Sequence, residues 1–232
     1  MEKLNHPELA RSPEYRFTRQ GTLVFITGVP LSGKSTIAPL ITSLIENCTL
    51  QSMDIIRLVV QEIESHKPEA ERSPFVNYGS CDSYIAIGDG SYSPQSLIAG
   101  FNGYSKIVCS PLRNIIPKLE VQGAQNVLFE GVQLIPSIVA PYLSGNNRLI
   151  IVTSNAQQLE SNRRKMFGGD NVELNERYST DKLLLLQDEI IRQSRQVSKN
   201  RLFCVDNTGD FRNTTTQVIQ FMLKTGTIEP VS

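Results

Sequence analysis

The chain has 232 residues, 40% of them hydrophobic and 20% charged, a composition that suits one α/β domain with a substantial core. Lysine plus arginine number 23, as do aspartate plus glutamate. This balance provides no basic excess for nonspecific contact with nucleic acid or a membrane surface.

The four cysteines (Cys48, Cys81, Cys109, Cys204) are scattered, and neither His6 nor His66 stands near one, so the spacing of a zinc site is missing. No apolar run reaches the roughly 18–20 residues of a membrane span, and Met1–Gln20 is too polar for a secretory leader. Reduced thiols and a cytoplasmic location are the expectation.

In chain order, residues 1–21 are expected to form an N-terminal strap, and residues 22–232 a single domain. Thr22–Thr27 (TLVFIT) reads as a buried parallel strand. Lys34–Glu46 follows as a helix with Pro39 inside it, whose ring and missing N–H should bend the helix or shift its first turn. Thr49–Met53 is a weaker strand and Ile55–Ser65 a helix. Residues 65–100 are rich in Gly, Ser, Pro and Tyr and weakly periodic. Their aromatic and apolar residues are too many for a solvated linker, so this stretch is expected to be an acceptor-binding excursion. Beyond it come a helix at Ser110–Gln122, strands at Asn126–Glu130 (NVLFE) and Arg148–Thr153 (RLIIVT), and helices at Gln157–Lys165 and Thr180–Val197. Residues 160–180 are expected to form a lid. Arg201–Asp206 is a second weaker strand, and Thr214–Lys224 the last helix. Strands alternating with helices predict an α/β, doubly wound sheet of about five parallel strands.

One motif dominates. Gly28, Val29, Pro30, Leu31, Ser32, Gly33, Lys34 and Ser35 fill the pattern G-x-x-x-x-G-K-[ST] between a strand and a helix. Glycines let backbone N–H groups curl around an anion, and the helix N-terminus adds its positive dipole end. Lys34 should reach the β- and γ-phosphates of a nucleoside triphosphate and Ser35 should ligate Mg²⁺, with Thr36 completing the binding segment. The guanine motif Asn-Lys-x-Asp of GTPases is absent, and the DxxG string at Asp206–Gly209 follows the last strand, too late for a nucleotide switch. A chain of this length and strand order points to phosphotransfer.

Three further groups are candidates for the chemistry. Asp54 and Arg57 follow the second strand, where doubly wound sheets collect ligands. Asp54 would accept the acceptor's hydroxyl proton or hold a metal-bound water, and Arg57, three residues on, would clamp an anion. A helix cap with an exposed arginine fits the same residues. Glu130 closes a buried strand beside the phosphate loop, where a lone carboxylate is costly, and would bind Mg²⁺ through water or orient the acceptor. Arg163, Arg164 and Lys165, then Gly168 and Gly169, then Arg177 and Tyr178 form a glycine-jointed cationic stretch. Arg164 or Arg177 would neutralise the transferring group, unless these cations merely complement a helix end.

With these residues in hand, the chain resembles the 2-phosphoglycerate kinase family from about Thr22 to Asp206. The likeness rests on the phosphate loop with Thr36-Ile37-Ala38, on Asp54-Ile55-Ile56-Arg57, Ser83-Tyr84 and Ala99-Gly100-Phe101, on Glu130-Gly131-Val132 with Leu134 and Pro136, and on Arg177-Tyr178 and Gln187-Asp188. The resemblance implies a nucleoside-monophosphate-kinase-like fold, also shared with zeta-toxin-like kinases. It implies ATP and Mg²⁺ as cofactors and a small hydroxy-acid or phosphorylated acceptor, with roles for Asp54, Arg57, Glu130 and a lid arginine. Two positions depart from the family: Gln133 stands where it has histidine, and Leu184 where it has arginine. The identity of the acceptor is therefore left open.

Two other readings carry the same loop. A polynucleotide 5′-end kinase would need a basic groove with stacking aromatics, yet Tyr78, Tyr84, Tyr92, Phe101 and Tyr104 have few lysines or arginines among them. A regulatory nucleotide-binding protein would bind without transferring. A homodimer is an open arrangement on sequence grounds.

Overall fold

The computed structural model describes residues 12–122, 125–168, 171–207 and 209–231. His6, Gly169, Thr208 of the DxxG string and the first 11 residues of the expected strap lie outside the described residues. The elements in chain order are β1 (Tyr15–Phe17), β2 (Leu23–Thr27), α1 (Lys34–Leu44), β3 (Ile45–Glu46), β4 (Cys48–Ser52), α2 (Met53–Ser65), α3 (Pro94–Val108), α4 (Leu112–Gln122) and β5 (Asn126–Glu130). They continue with α5 (Pro136–Val139), β6 (Arg148–Thr153), α6 (Ala156–Phe167), α7 (Val172–Arg177), α8 (Thr180–Ser194), β7 (Leu202–Asp206), α9 (Phe211–Lys224) and β8 (Ile228–Pro230).

Five strands form one parallel sheet in the order β4-β5-β2-β6-β7. Each lies where an apolar run predicts a strand, with ends shifted by a residue at most. β2 is buried along its whole length because its residues feed two cores alternately. Leu23 and Phe25 pack with Phe101, Leu112, Leu183, Leu186 and Ile190 from α3, α4 and α8. Val24 and Ile26 pack with Ile37, Ile41, Val218 and Met222 from α1 and α9. Helices thus cover both faces, as an all-parallel sheet requires. The chain leaves β2 towards β4 on one side, while β6 follows on the other. The carboxyl end of β2 is therefore the switch point, where such sheets open a crevice.

Three further observations bear on the expectation. Pro39 sits inside α1, yet the helix runs unbroken to Leu44 and its first turn is intact, with Thr36 and Ile37 N–H both reaching the Gly33 carbonyl (2.9 and 3.2 Å). Pro94 begins a 15-residue helix, α3, that periodicity does not predict. Its entry is a capping box in which the Ser93 hydroxyl accepts from Ser96 N–H and Ser96 answers on the Ser93 backbone. A second sheet, β3-β1-β8, with β1 parallel to β3 and antiparallel to β8, lays Phe17, Ile45 and Ile228 on the α1–α9 core. Among the described residues no helix is long and apolar enough to cross a membrane.

Candidate active site

The loop between β2 and α1 takes its shape from two glycines. Gly28 has φ 153° and Gly33 φ 90°. A Cβ on Gly28 would stand 2.3 Å from the Val152 carbonyl oxygen, and one on Gly33 2.2 Å from Asn207 Nδ2, so no larger residue fits either position. The loop's carbonyls are tied outward: Asn207 Nδ2 donates to Ser32 O (2.8 Å), and Asn162 Nδ2 to Leu31 O (2.8 Å). Thr214 Oγ1 fixes Asn207 in turn, donating to Oδ1 at 2.9 Å. Within the loop, Ser32 N–H turns back to the Val29 carbonyl (3.2 Å), and the buried Ser32 hydroxyl has no partner among the described residues. A glycine-shaped turn that runs into a helix N-terminus beside a buried lysine is the chemistry of a phosphate cradle.

Two carboxylates reach this cradle through sheet register. Glu130, the last residue of β5, pairs with Ile26 on one side and Ser52 on the other. It is buried, its Oε1 accepts the Ser35 hydroxyl (3.0 Å), and the same oxygen stands 3.9 Å from Lys34 Nζ. Lys34 Nζ also donates to Val29 O at 3.3 Å. Burial pushes the Lys34 amine below its ordinary value, while Glu130 and then Asp54 pull it back up. Opposite Glu130, Ser52 ends β4 and its hydroxyl accepts Asp54 N–H (3.2 Å), so Ser52 caps α2. Asp54 is left exposed in the first turn, with Arg57 Nε 3.5 Å from its Oδ1. Arg57 donates to Gln61 (2.9 Å), and Gln61 donates to the Val76 carbonyl (2.7 Å), which connects α2 to the 65–100 segment.

A cleft of about 360 Å³ opens between these groups, bordered by Lys34, Ser35, Asp54, Arg57, Glu130 and Arg177. Residues 77–80 of the 65–100 segment form part of its wall, as do Gln133 and Tyr104. Gln133 Nε2 donates to the Tyr104 hydroxyl (2.9 Å), and burial pushes that phenol up to about 12. Tyr104 is therefore neutral at physiological pH. Arg177 reaches the cleft from the end of α7, where its guanidinium pairs with Asp82, whose other oxygen accepts Gly79 N–H (2.5 Å).

Arg164 is not brought to this cleft. Its Nε donates to Glu160 Oε1 at 2.7 Å on the exposed side of α6, and Arg163 bonds the same carboxylate. The two guanidiniums hold Glu160 down to about 2. Thr36 borders a second cavity of about 700 Å³ on the outer side of the loop, with Lys165, Met166, Phe167 and Tyr178. The Phe167 and Tyr178 rings stack there, with centroids 5.1 Å apart.

Sequence reasoning missed Asn207, Gln61 and Asp82. Asn207 had a usable signal, being polar immediately after the last strand. Asp82 had none, since it acts through Arg177, 95 positions away, and Gln61 offered only its place four residues after Arg57 on the same helix.

No family model matches the chain, and no curated protein sequence matches it. Solved structures do. A gluconokinase from Sinorhizobium meliloti 1021 is 13% identical, with a TM-score of 0.50 over 89% of this chain and 94% of that one. A shikimate kinase from Acinetobacter baumannii, solved in complex with shikimate, is 15% identical, with a TM-score of 0.50 and the same coverages of 89% and 94%. At such low identity the likeness is one of fold: this chain, with its five-stranded parallel sheet, shares the α/β fold of these two kinases.

Proposed function

We propose that the protein is an ATP- and Mg²⁺-dependent kinase that transfers the γ-phosphate to a hydroxyl of a small molecule, of the glycerate, hydroxy-acid or phosphorylated class. The observation that carries this reading is the Glu130 carboxylate. It touches Ser35 and stands beside Lys34, in one cleft with Asp54, Arg57 and Arg177.

The loop amides and Lys34 would hold the triphosphate. The donor set fits a hard cation: one hydroxyl and one carboxylate oxygen, with no cluster of three or more metal-binding side chains among the described residues. Such a sparse protein contribution suits a metal that keeps water and phosphate oxygens in its shell. Mg²⁺ would be held by Ser35 and, through water, by Glu130, and would neutralise charge on the phosphates. Asp54, exposed at the rim, would orient the acceptor hydroxyl and take its proton. Arg57 and Arg177, paired here with Asp54 and Asp82, would each offer a guanidinium to an anionic acceptor. Segment 160–180 would act as the lid that carries Arg177, and the apolar cavity beside Met166, Phe167 and Tyr178 suits a nucleotide base.

The direct test measures ADP formation from Mg²⁺-ATP against a panel of hydroxy acids, sugar acids and their phosphates, with an oligonucleotide bearing a 5′-hydroxyl as competitor. Acceptor-dependent ADP formation by a small acid supports the reading. Transfer to the oligonucleotide alone would replace it with the polynucleotide reading. Nucleotide binding without transfer to any acceptor would point to a regulatory protein.

A further inference from the structure

Nine large apolar side chains are exposed among the described residues, and four of them lie on α2: Ile55 (60% exposed), Leu58 (56%), Val59 (54%) and Ile63 (56%). The opposite face of the helix is already satisfied, since Met53, Val60 and Glu64 are buried against the domain. The exposed set is therefore a second apolar face, and among the described residues nothing is packed on it. Its residues follow helical geometry: 55, 59 and 63 form a single i, i+4, i+8 ridge, with Leu58 beside it.

We infer that α2 is the two-fold contact of a homodimer, in which the same helix of a second copy crosses it antiparallel. A two-fold contact must be self-complementary. The ridge reads Ile, Val, Ile, the same in both directions, so an axis through Val59 sets Val59 on the partner's Val59 and Ile55 on the partner's Ile63. Ridges of i±4 spacing interlock at a crossing angle of about −50°, the commonest helix packing in globular proteins. Size agrees as well. Four side chains at these exposures leave an apolar patch on the order of 400 Å², within the ~300–600 Å² of the largest patch on a typical monomer, which is often a functional surface. Burying it on two copies removes about half of the ~1,600 Å² of a standard interface, and flanking side chains would form the rim. A membrane surface fits less well, because α2 brings no basic excess to meet anionic headgroups: Arg57 is paired with Asp54, and Glu62 is acidic.

This inference does not depend on the proposed chemistry. It is tested by sedimentation equilibrium and light scattering on the full chain, where the dimer has twice the 25.9 kDa of one copy. Val59→Glu should give the monomer mass with an unchanged circular dichroism spectrum. Should that variant unfold, Ile55→Glu provides the same test one turn away. Cysteine pairing tests the axis itself, in a Cys204→Ser background because Cys204 is exposed. Val59→Cys should oxidise to a covalent dimer on its own. Ile55→Cys should cross-link only when mixed with Ile63→Cys. A wild-type chain that stays at 25.9 kDa at the highest soluble concentration overturns the inference, as does a dimer that survives Val59→Glu.

Discussion

Ser35 and Glu130 lie 95 positions apart in sequence, yet the hydroxyl of one donates to the carboxylate of the other at 3.0 Å. Parallel pairing of β2 with β5 sets Ile26 beside Glu130 and so aligns the end of one strand with the loop that follows the other. The shape of Glu130→Gln is conserved while its charge is lost. We expect it to keep metal-free ATP binding within a few-fold and to lose the Mg²⁺-dependent gain in affinity, with at least a ~100-fold fall in transfer. Fluorescent-nucleotide titrations with and without Mg²⁺ separate the two effects. An unchanged Mg²⁺ response removes Glu130 from the metal site.

Lys34 gives a pH dependence of definite sign. Burial lowers its pKa in the folded apo protein below the ordinary 10.5, so between that lowered value and 10.5 the unfolded chain binds the extra proton. The buried ammonium therefore costs the apo protein stability at neutral pH, and the cost fades as pH rises through the window. Triphosphate binding surrounds the amine with negative charge and raises its pKa again, so binding takes up a proton within the window. ATP affinity should then fall as pH rises through the lowered pKa. Calorimetry in buffers of different ionisation enthalpy should report proton uptake in the wild type and none attributable to this group in Lys34→Ala.

Asp54 is exposed and, among the described residues, ion-paired with its neighbour Arg57 alone, so removing its charge should leave the fold intact, within ~0.5 kcal/mol by chemical denaturation. Asp54→Asn should nevertheless lower transfer by about 10²–10⁴-fold, the range for loss of a positioned general base, with nucleotide affinity unaltered. Wild-type turnover in this variant would eliminate both the base and the positioning role.

The legible part of this molecule was the part built from short-range pattern. Apolar runs bounded by polar residues mark β2, β5 and β6 because a strand covered on both faces has no polar face to interrupt the run. The loop was legible because Gly28, Gly33, Lys34 and Ser35 are each demanded by one local geometry. Glu130 stood out as a charge at the end of such a run. Helix α3 was hidden by Gly100 and Gly103, which lower helix propensity but admit Ser83–Tyr84 and the Phe75 ring against the helix. Only its cap, Ser93 and Ser96 around Pro94, offered a signal. The strands of the second sheet are two or three residues long, too short to show alternation. Their partners lie up to about two hundred positions away.

Arg164 and Arg177 looked alike in sequence as cationic residues near glycine. Folding separates them, since Glu160 is placed four residues before Arg164 on the same helix, the i, i+4 arrangement that captures a guanidinium locally. Arg177 instead borders the cleft and pairs with Asp82. Arg177→Ala should cut transfer efficiency by at least ~10-fold, while Arg164→Ala stays within about two-fold, in line with the small worth of exposed ion pairs. Steady-state kinetics on the two variants decides the matter. Equal losses would mean that segment 160–180 closes with both arginines over the site.

Gly100 tests whether the 65–100 segment is packed on the domain. Replacing a glycine inside a helix by alanine ordinarily stabilises by up to ~1 kcal/mol. Here the added methyl would stand 2.5 Å from the backbone of Ser83 and Tyr84, atoms that cannot rotate aside as a side-chain tip can. The overlap must be relieved by moving α3 or the short turn at Ser83–Ala86, and overpacking of this kind costs about 1–3 kcal/mol. Gly100→Ala should therefore lower the stability of the protein despite its better helix propensity. The same displacement would disturb Asp82, which precedes the turn and holds Arg177, so transfer efficiency should fall together with the denaturation midpoint. A midpoint equal to or above that of the wild type would mean that the turn does not rest on α3, and that the cleft wall it supports is set by something else.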